Sequence, residues 1–474
     1  MLEPSSPDAI TFADLFAGVG GFAAALSAMG AEHAYAVEID KHAAAVYEAN
    51  WQHPALGDVT KDANDDAVTV PAHDIITGGF PCQPFSKSGA QRGMDEVRGT
   101  LFWNIEKIVR ERKPTLICLE NVRNLAGPRH KHEWQVIIEH LRNAGYQVAE
   151  QSAVFSPHLI APEFGGSPQV RERVFITATL VPEGMVMDPD PEPITLPERV
   201  LMHREWNLVD DLPMDRAAVV PGTEISPDER AWIDHWEQMV VFMRAWRADQ
   251  ARLTGEPLRR LPGHPVWTDA WVTAKTAREH LLDGAPAWKA DFLRKNFDLY
   301  DSLREFLGAK VINKWLREVR EFPESRRKLE WQAQDAVSMW DCVISLRPSG
   351  LRVKRPTHLP ALVAITQTPI IGPIGRKLSA REAARLQGLP DNFTFGDQRD
   401  ALTYKQMGNG VNVGVVNQVL KAHCERDKHL LLATERGRAI YAMVAAAAEA
   451  PRDDVAQRLD ALRERAFEVP ALSS

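Results

Sequence analysis

The chain has 474 residues, 45% hydrophobic and 25% charged, a balance that excludes a mainly disordered protein and a length that suits two or three domains. No run of about 18 uncharged apolar residues occurs, so no transmembrane helix is expected, and the polar, proline-containing start from Met1 to Asp8 lacks the apolar centre of a secretory signal. The net charge is −8, but residues 244–355 hold 22 Lys and Arg against 15 Asp and Glu, a local +7 that leaves −15 for the remainder. Such a basic segment on an acidic body permits a phosphate-facing surface, with a solvated helical face as the equal alternative. Four cysteines (Cys82, Cys118, Cys342 and Cys424) cannot staple a chain this long. They fit a reducing cytoplasm, and a conspicuously placed cysteine becomes a reactivity candidate.

Residues 10–180 read as alternating strands and helices. Ile10–Phe16 is an apolar strand, the glycines 18, 20 and 21 punctuate it, and an Ala-rich helix follows to about Met29. His33–Glu38 is a second strand and Lys41–Trp51 a second helix, then short apolar runs at Asp74–Gly78, Thr115–Glu120 and Val174–Thr179 alternate with helical patterns at Leu101–Arg112 and His132–Ala144. The pattern predicts a doubly wound α/β sheet. Met185–Pro197 is dense in Pro, Asp and Glu and reads as a linker. From Leu201 to about Trp340 the pattern is mostly helical and holds ten of the 13 tryptophans, expected to fill helix–helix cores. Asp341–Gly375 is Pro/Gly-punctuated and β-like. Asp427–Ser474 is an Ala-rich helical tail, expected as a surface helix or an oligomerisation element.

Four motifs carry chemistry. In Asp14–Phe22 a strand runs into a glycine turn and a helix, where backbone can approach a ligand and free N–H groups face it. Glu38 follows about 20 positions on, where a ribose hydroxyl would be bonded. Asp58 could meet an adenine amino group at a third strand end, or be an ordinary turn residue. In Gly78–Ser86, Cys82 sits between Pro81 and Pro84 at the end of a buried strand. This stiff, glycine-preceded turn suits a nucleophile, whereas Cys118 lies inside its strand and reads as core. Residues 83–100 read as a mobile lid. Glu120, in Glu120-Asn121-Val122, ends its strand in the same crevice, or caps it. In Gln169–Phe175, Arg171 and Arg173 alternate on one face of a strand and suggest an anionic or carbonyl ligand, or pairing with Glu120.

Together with Arg376–Pro390 and Tyr404–Val411, these segments occur in the order found in bacterial-type DNA (cytosine-5)-methyltransferases, which the chain resembles over residues 10–180 and about 376–422. Two departures stand out: some 200 residues separate the arginine motif from Arg376, and Gly410 stands where many relatives have serine. The resemblance implies a discontinuous, Rossmann-like large domain that binds S-adenosyl-L-methionine (SAM), and a smaller target-recognition domain with a helical, Trp-rich insertion. The division expected is 10–185 (catalytic), 186–400 (target recognition with insertion and hinge), 401–425 (catalytic return) and 426–474 (tail).

The resemblance further implies roles. Cys82 would attack C6 of a flipped-out cytosine, Glu120 would bond N3 and the exocyclic amine, and Arg173 with Arg171 would hold the base carbonyl and the acid. The cofactor set would be Asp14, Phe16, Ala17, Gly18, Gly20, Gly21, Glu38, Ile39, Asp58, Pro81, Leu101, Asn409 and Val411. Gln83, Ser86, Arg98, Arg347, Arg352, Lys354 and Arg355 would touch DNA, and residues 341–375 would read the DNA word. No metal is expected. The partners expected are duplex DNA carrying a specific target sequence and, in a restriction–modification or other phage-defence setting, cognate components of that system. The protein would work in the bacterial cytoplasm, at the nucleoid. The alternatives are a tRNA cytosine-5 methyltransferase, whose extra Cys-Phe-Thr motif is absent here, a catalytically silent DNA-binding relative, and a nuclease fusion, for which no motif occurs.

Overall fold

The computed structural model describes residues 6, 8–81, 100–215, 217, 219–362 and 368–468. The first part of the chain forms strands β1 (Thr11–Leu15), β2 (Glu32–Val37), β3 (Ile75–Gly79), β4 (Leu116–Val122), β5 (Tyr146–Val148), β6 (Ala153–Phe155), β7 (Gln169–Val170) and β8 (Arg173–Leu180). The main sheet runs β2-β1-β3-β4-β8-β5, with β6 also on β8. The strands β2, β1, β3 and β4 are parallel; β8 runs antiparallel to β4, β5 and β6.

Alternate residues of each strand feed two cores, one per face. Phe12, Ile75 and Cys118 pack with the helices Gly21–Met29 and Lys41–Trp51. Ala13, Ile76 and Leu119 pack with Leu101–Arg112 and Lys131–Asn143. Burial on both faces explains why these strands are apolar throughout rather than alternating. Asp40 starts the second helix, its carboxylate accepting from the backbone N–H of His42 and Ala43.

The second module departs from the expected helical reading of 201–340. Helices do occupy Pro227–Thr254, Lys275–Leu282, Ala287–Leu307 and Ala309–Arg320, but β9 (Val266–Trp267) and β10 (Lys328–Gln332) are strands. They extend a sheet completed by β11 (Val343–Arg347), β12 (Gly350–Lys354), β14 (Ile370–Ile371) and β15 (Arg376–Lys377), in the order β15-β14-β11-β12-β10-β9. β13 (Leu359–Pro360) instead pairs with β7. In β10, buried Leu329 and Trp331 alternate with polar neighbours, a period of two that a helix would scatter. Trp236, Trp246, Trp271, Trp315 and Trp331 fill the core between these helices and the sheet. Trp267 packs instead on a smaller cluster with Leu293 and Phe297, and Trp288 is 62% exposed.

Core membership cuts the chain differently from the boundaries at 186 and 400. Ile194, Val200, Leu208 and Leu212, and later Leu378, Leu386 and Phe393, pack in the core of the first module. The C-terminal segment also belongs there. Val413–Arg426 packs on Gly21–Met29, and Arg452–Glu468 packs on both that helix and Lys41–Trp51. Val455, Leu459 and Leu462, spaced to share one helix face, are buried, so the tail closes the core rather than lying on the surface.

Candidate active site

A cleft of about 460 Å³ opens at the carboxyl ends of β1, β2, β3 and β4, where an open parallel sheet places its ligands. Phe16 and Gly18 border it from the turn after β1. Phe16 has φ 54° and Gly18 φ 56°; a left-handed phenylalanine costs on the order of 1–2 kcal/mol, strain that concentrates at ligand sites. Glu38 holds this turn from the next strand end. Its Oε2 accepts from Gly18 N at 2.8 Å and its Oε1 from Asp40 N at 2.7 Å. Each oxygen accepts one described bond and so keeps a second lone pair.

Ile39 lines the same cleft with 75% of its surface exposed, an apolar wall next to Asp58 and Leu101. Asp58 Oδ1 is occupied by Thr60 N (3.0 Å) and Thr60 Oγ1 (2.7 Å), so it is the helix-capping residue of Val59–Asp62 as well as a cleft residue. Asn409 and Pro81 complete the expected residues that reach the cleft.

The remaining members of the expected cofactor set stand behind it. Asp14 is fully buried and accepts from Thr77 Oγ1 at 3.0 Å; burial pushes its carboxyl well above the usual range. Ala17 is tied to β2 through its N–H to Val37 O. A Cβ on Gly20 would run into the Trp51 indole, and one on Gly21 would come within 2.7 Å of Val411. Gly20 and Gly21 are therefore packing glycines, and Val411 is their counterpart on the returning chain.

Glu120 and Arg173 border the same cleft. Register puts Gly79 beside Glu120 and Val122 beside Arg173, so β3, β4 and β8 carry the Pro81 loop, the carboxylate and the guanidinium side by side. Arg173 Nε lies 2.8 Å from Glu120 Oε1. Burial pushes the Glu120 carboxyl up, and Arg173 and Arg171 pull it partly back. Asn121 donates from Nδ2 to Phe80 O at 2.8 Å, fastening the backbone two residues before Cys82. Cys82, Gln83, Ser86, Arg98 and lid positions 83–99 lie outside the described residues.

Arg171 corrects the expectation of two arginines on one strand face. It precedes β8 and is buried, and it donates to Gly408 O (3.0 Å) and Gly410 O (2.5 Å). Burial, with Arg173 nearby, pulls its guanidinium below the usual arginine range. Arg171 thus clamps the returning Tyr404–Val411 segment, and of the two arginines only Arg173 pairs directly with Glu120. Lys405 makes a second clamp, 2.9 Å from Asp40. Asp40, Lys405, Gln406 and Asn121 at this cleft escaped sequence reasoning, although the last three sit inside quoted motifs.

The cations expected to read DNA divide into two kinds. Arg352 pairs with Glu330 at 2.6 Å and Arg355 with Glu205 at 2.6 Å. The side chains of Arg347 and Lys354 have no hydrogen bond or ion pair among the described residues. Lys354 is nevertheless drawn down by burial and by Arg352 and Arg347. Among the described residues no cluster of metal-ligating side chains occurs, and no helix is long and apolar enough to cross a membrane.

Comparison with known proteins meets this geometry. Residues 10–425 match the family of C-5 cytosine-specific DNA methylases. The Type II methyltransferase M.AluI of Cellulosimicrobium cellulans is 48% identical over 92% of this chain and 96% of its own length. The Type II methyltransferase M.HhaI of Haemophilus parahaemolyticus is 41% identical over 35% of this chain and 48% of its own. A DNMT2 structure from Spodoptera frugiperda overlaps 88% of this chain and 99% of its own at 15% identity and a TM-score of 0.45. With a glycine turn and a buried carboxylate–guanidinium pair sharing one cleft, and a family match running from β1 through the returning segment, the chain belongs to the C-5 cytosine-specific DNA methylases.

Proposed function

We propose that this DNA cytosine-5 methyltransferase works by covalent catalysis from Cys82 on a cytosine flipped out of a specific duplex sequence. The observation that carries the reading is the Glu120–Arg173 pair at 2.8 Å, buried in the cleft that Pro81 also borders, one residue before Cys82. C5 of cytosine is a weak nucleophile. Addition of the Cys82 thiolate to C6 makes it enamine-like. Glu120, with its carboxyl held up by burial, gives a proton to N3 as charge builds there. Arg173 bonds the base carbonyl oxygen and keeps Glu120 in place. After methyl transfer a base removes the C5 proton, Cys82 leaves as the thiolate and N3 returns its proton to Glu120, which restores the ring; water fills the role of that base.

SAM, when bound, supplies an electrophilic methyl group. The residues of the cleft fit it: Ile39 offers an exposed apolar face for the adenine, Glu38 keeps lone pairs for ribose hydroxyls, and among the described residues beyond its chain neighbours no atom lies within 4 Å of where a Gly18 Cβ would stand. In this reading the module around β1–β8 and the returning segment hold the chemistry. The second sheet, with Arg347, Arg352, Lys354 and Arg355, selects the DNA word. The setting is the nucleoid of a bacterial cytoplasm, with a cognate restriction or other defence component as partner.

A duplex containing 5-fluorocytosine at the target tests the reading, because fluorine at C5 blocks the final proton loss. The wild-type chain with SAM should form an adduct stable to denaturation. Cys82→Ala should form none and should methylate nothing detectable by bisulfite sequencing of DNA from expressing cells. Turnover by Cys82→Ala at the wild-type rate would refute the mechanism.

A further inference from the structure

The second sheet has two unlike faces. Leu329 and Trp331 of β10, Ile344 and Leu346 of β11, and Leu351 and Val353 of β12 turn towards the helices and are buried there. The alternate residues Glu330, Gln332, Ser345, Arg347, Arg352 and Lys354 share the other face, because register sets Glu330 beside Arg352, Gln332 beside Lys354 and Ser345 beside Arg352. Among the described residues no hydrophobic cluster covers that polar face at its centre. Its far end abuts the catalytic module: Val343, opposite Lys354, and Ile371, opposite Val343, belong to the core of the first module. The polar face is thus a wall turned to the same side as the catalytic module.

In the middle of this wall, Arg352 Nε and Nη2 both lie 2.6 Å from Glu330 Oε2. The two side chains remain 29% and 19% exposed. Glu330 fixes one edge of the guanidinium and leaves Arg352 Nη1, and the second hydrogen of Nη2, free of any described partner. Glu330 Oε1 likewise accepts from no described residue. The result is two parallel donors beside one acceptor, all held rigid by neighbouring strands. A guanine presents two acceptors, O6 and N7, in the major groove, and its paired cytosine presents the N4 amino donor beside them.

We propose that Arg352 and Glu330 act as one unit that reads a single G·C base pair: Arg352 donates to guanine O6 and N7, and Glu330 Oε1 accepts from cytosine N4. The inference rests on the reading that this sheet selects the DNA word, and it adds a residue from outside 341–375. An arginine already held by a carboxylate loses less rotamer freedom on binding than a free one. Both side chains stay partly in contact with solvent, so removing the pair should leave the fold intact, which the unfolding curves check.

The test profiles methylation of a random-sequence duplex library by the full chain and by Glu330→Gln, Glu330→Ala and Arg352→Gln, with urea unfolding of each. Each change should relax preference at one and the same base pair, by about ten- to a hundredfold, and leave the other positions alone. The exchanged pair, Glu330→Arg with Arg352→Glu, keeps the ion pair and should keep the fold but lose or alter that preference. If Arg352→Gln relaxes a position that both Glu330 variants still select, the paired reading is wrong while the sheet still reads DNA. If no variant changes the word, the reading of the sheet itself fails. Uniform weakening across all sequences marks a phosphate contact and also overturns the proposal, as does retention of the original word by the exchanged pair.

Discussion

Glu120 shows how one side chain is set to a task by its surroundings. A carboxyl buried at a strand end resists ionisation, and a guanidinium 2.8 Å away limits how far that resistance goes. The sign of the pH dependence follows. Glu120 holds its proton to higher pH than a free glutamate, so single-turnover methylation should fall on the alkaline side as it ionises. Arg173→Met removes the larger of the two charges that pull the carboxyl down, so it should lower the rate and move the alkaline limb to higher pH. Glu120→Gln should abolish that limb and most of the activity. A pH–rate profile of the three proteins checks this, and an alkaline limb that stays put in Arg173→Met would refute the assignment. Arg171, two positions earlier, has a different task. Its bonds to Gly408 O and Gly410 O tie down the returning chain.

At the scale of elements, the glycine turn and the returning segment are one structure. The helix Gly21–Met29 is lined by alanines, which let Val413–Arg426 and Arg452–Glu468 approach closely. Gly21 faces Val411, where an added Cβ would come within 2.7 Å. Gly21→Ala therefore overpacks the junction. It should cost about 1–3 kcal/mol, read as a lower urea midpoint with an unchanged slope. By pushing Tyr404–Val411 away from the cleft it should also weaken SAM binding, measured by calorimetry. Normal stability together with normal affinity would mean that this junction is looser than the geometry indicates. The second sheet works by the same logic of neighbours: β10 arrives from beyond the helices to stand beside β12, and only that pairing brings Glu330 to Arg352.

Over the whole molecule, the first and last parts of the chain share one core. Val455, Leu459 and Leu462 of the C-terminal helix pack with residues of the first 60, among them Phe22, Tyr47 and Trp51. Arg436 ties the segment further, bonding Asp74 just before β3. Ending the chain after residue 450 should therefore destabilise the catalytic module. Three buried aliphatic side chains imply a loss on the order of 5 kcal/mol, seen as a lower urea midpoint or as insoluble protein. A truncated chain as stable and active as the full one would show that the helix is dispensable.

The doubly wound sheet was legible in the sequence because its signals are local. Strands buried on both faces are apolar runs, and glycines mark where the first helix begins. The candidate site was legible for the same reason, since Glu38, Glu120, Arg173 and Asn409 sit in short motifs at element ends. The doubly buried core gave Cys118 its place as well, inside β4 and fully buried. What local pattern could not convey is which separated segments meet. Arg171 and Arg173 are two residues apart yet do different work, because one faces the backbone of residues 408–410 and the other faces Glu120. Lys328–Gln332 looked like the end of a helical region, since five residues are too few to establish their period against a long helical background. The tail looked separate because its apolar stripe has no visible partner until the helix Gly21–Met29 is folded beside it. Motifs declare chemistry through residue type and short spacing, whereas clamps, packing glycines and cross-strand pairs exist only once the chain has brought distant surfaces into contact.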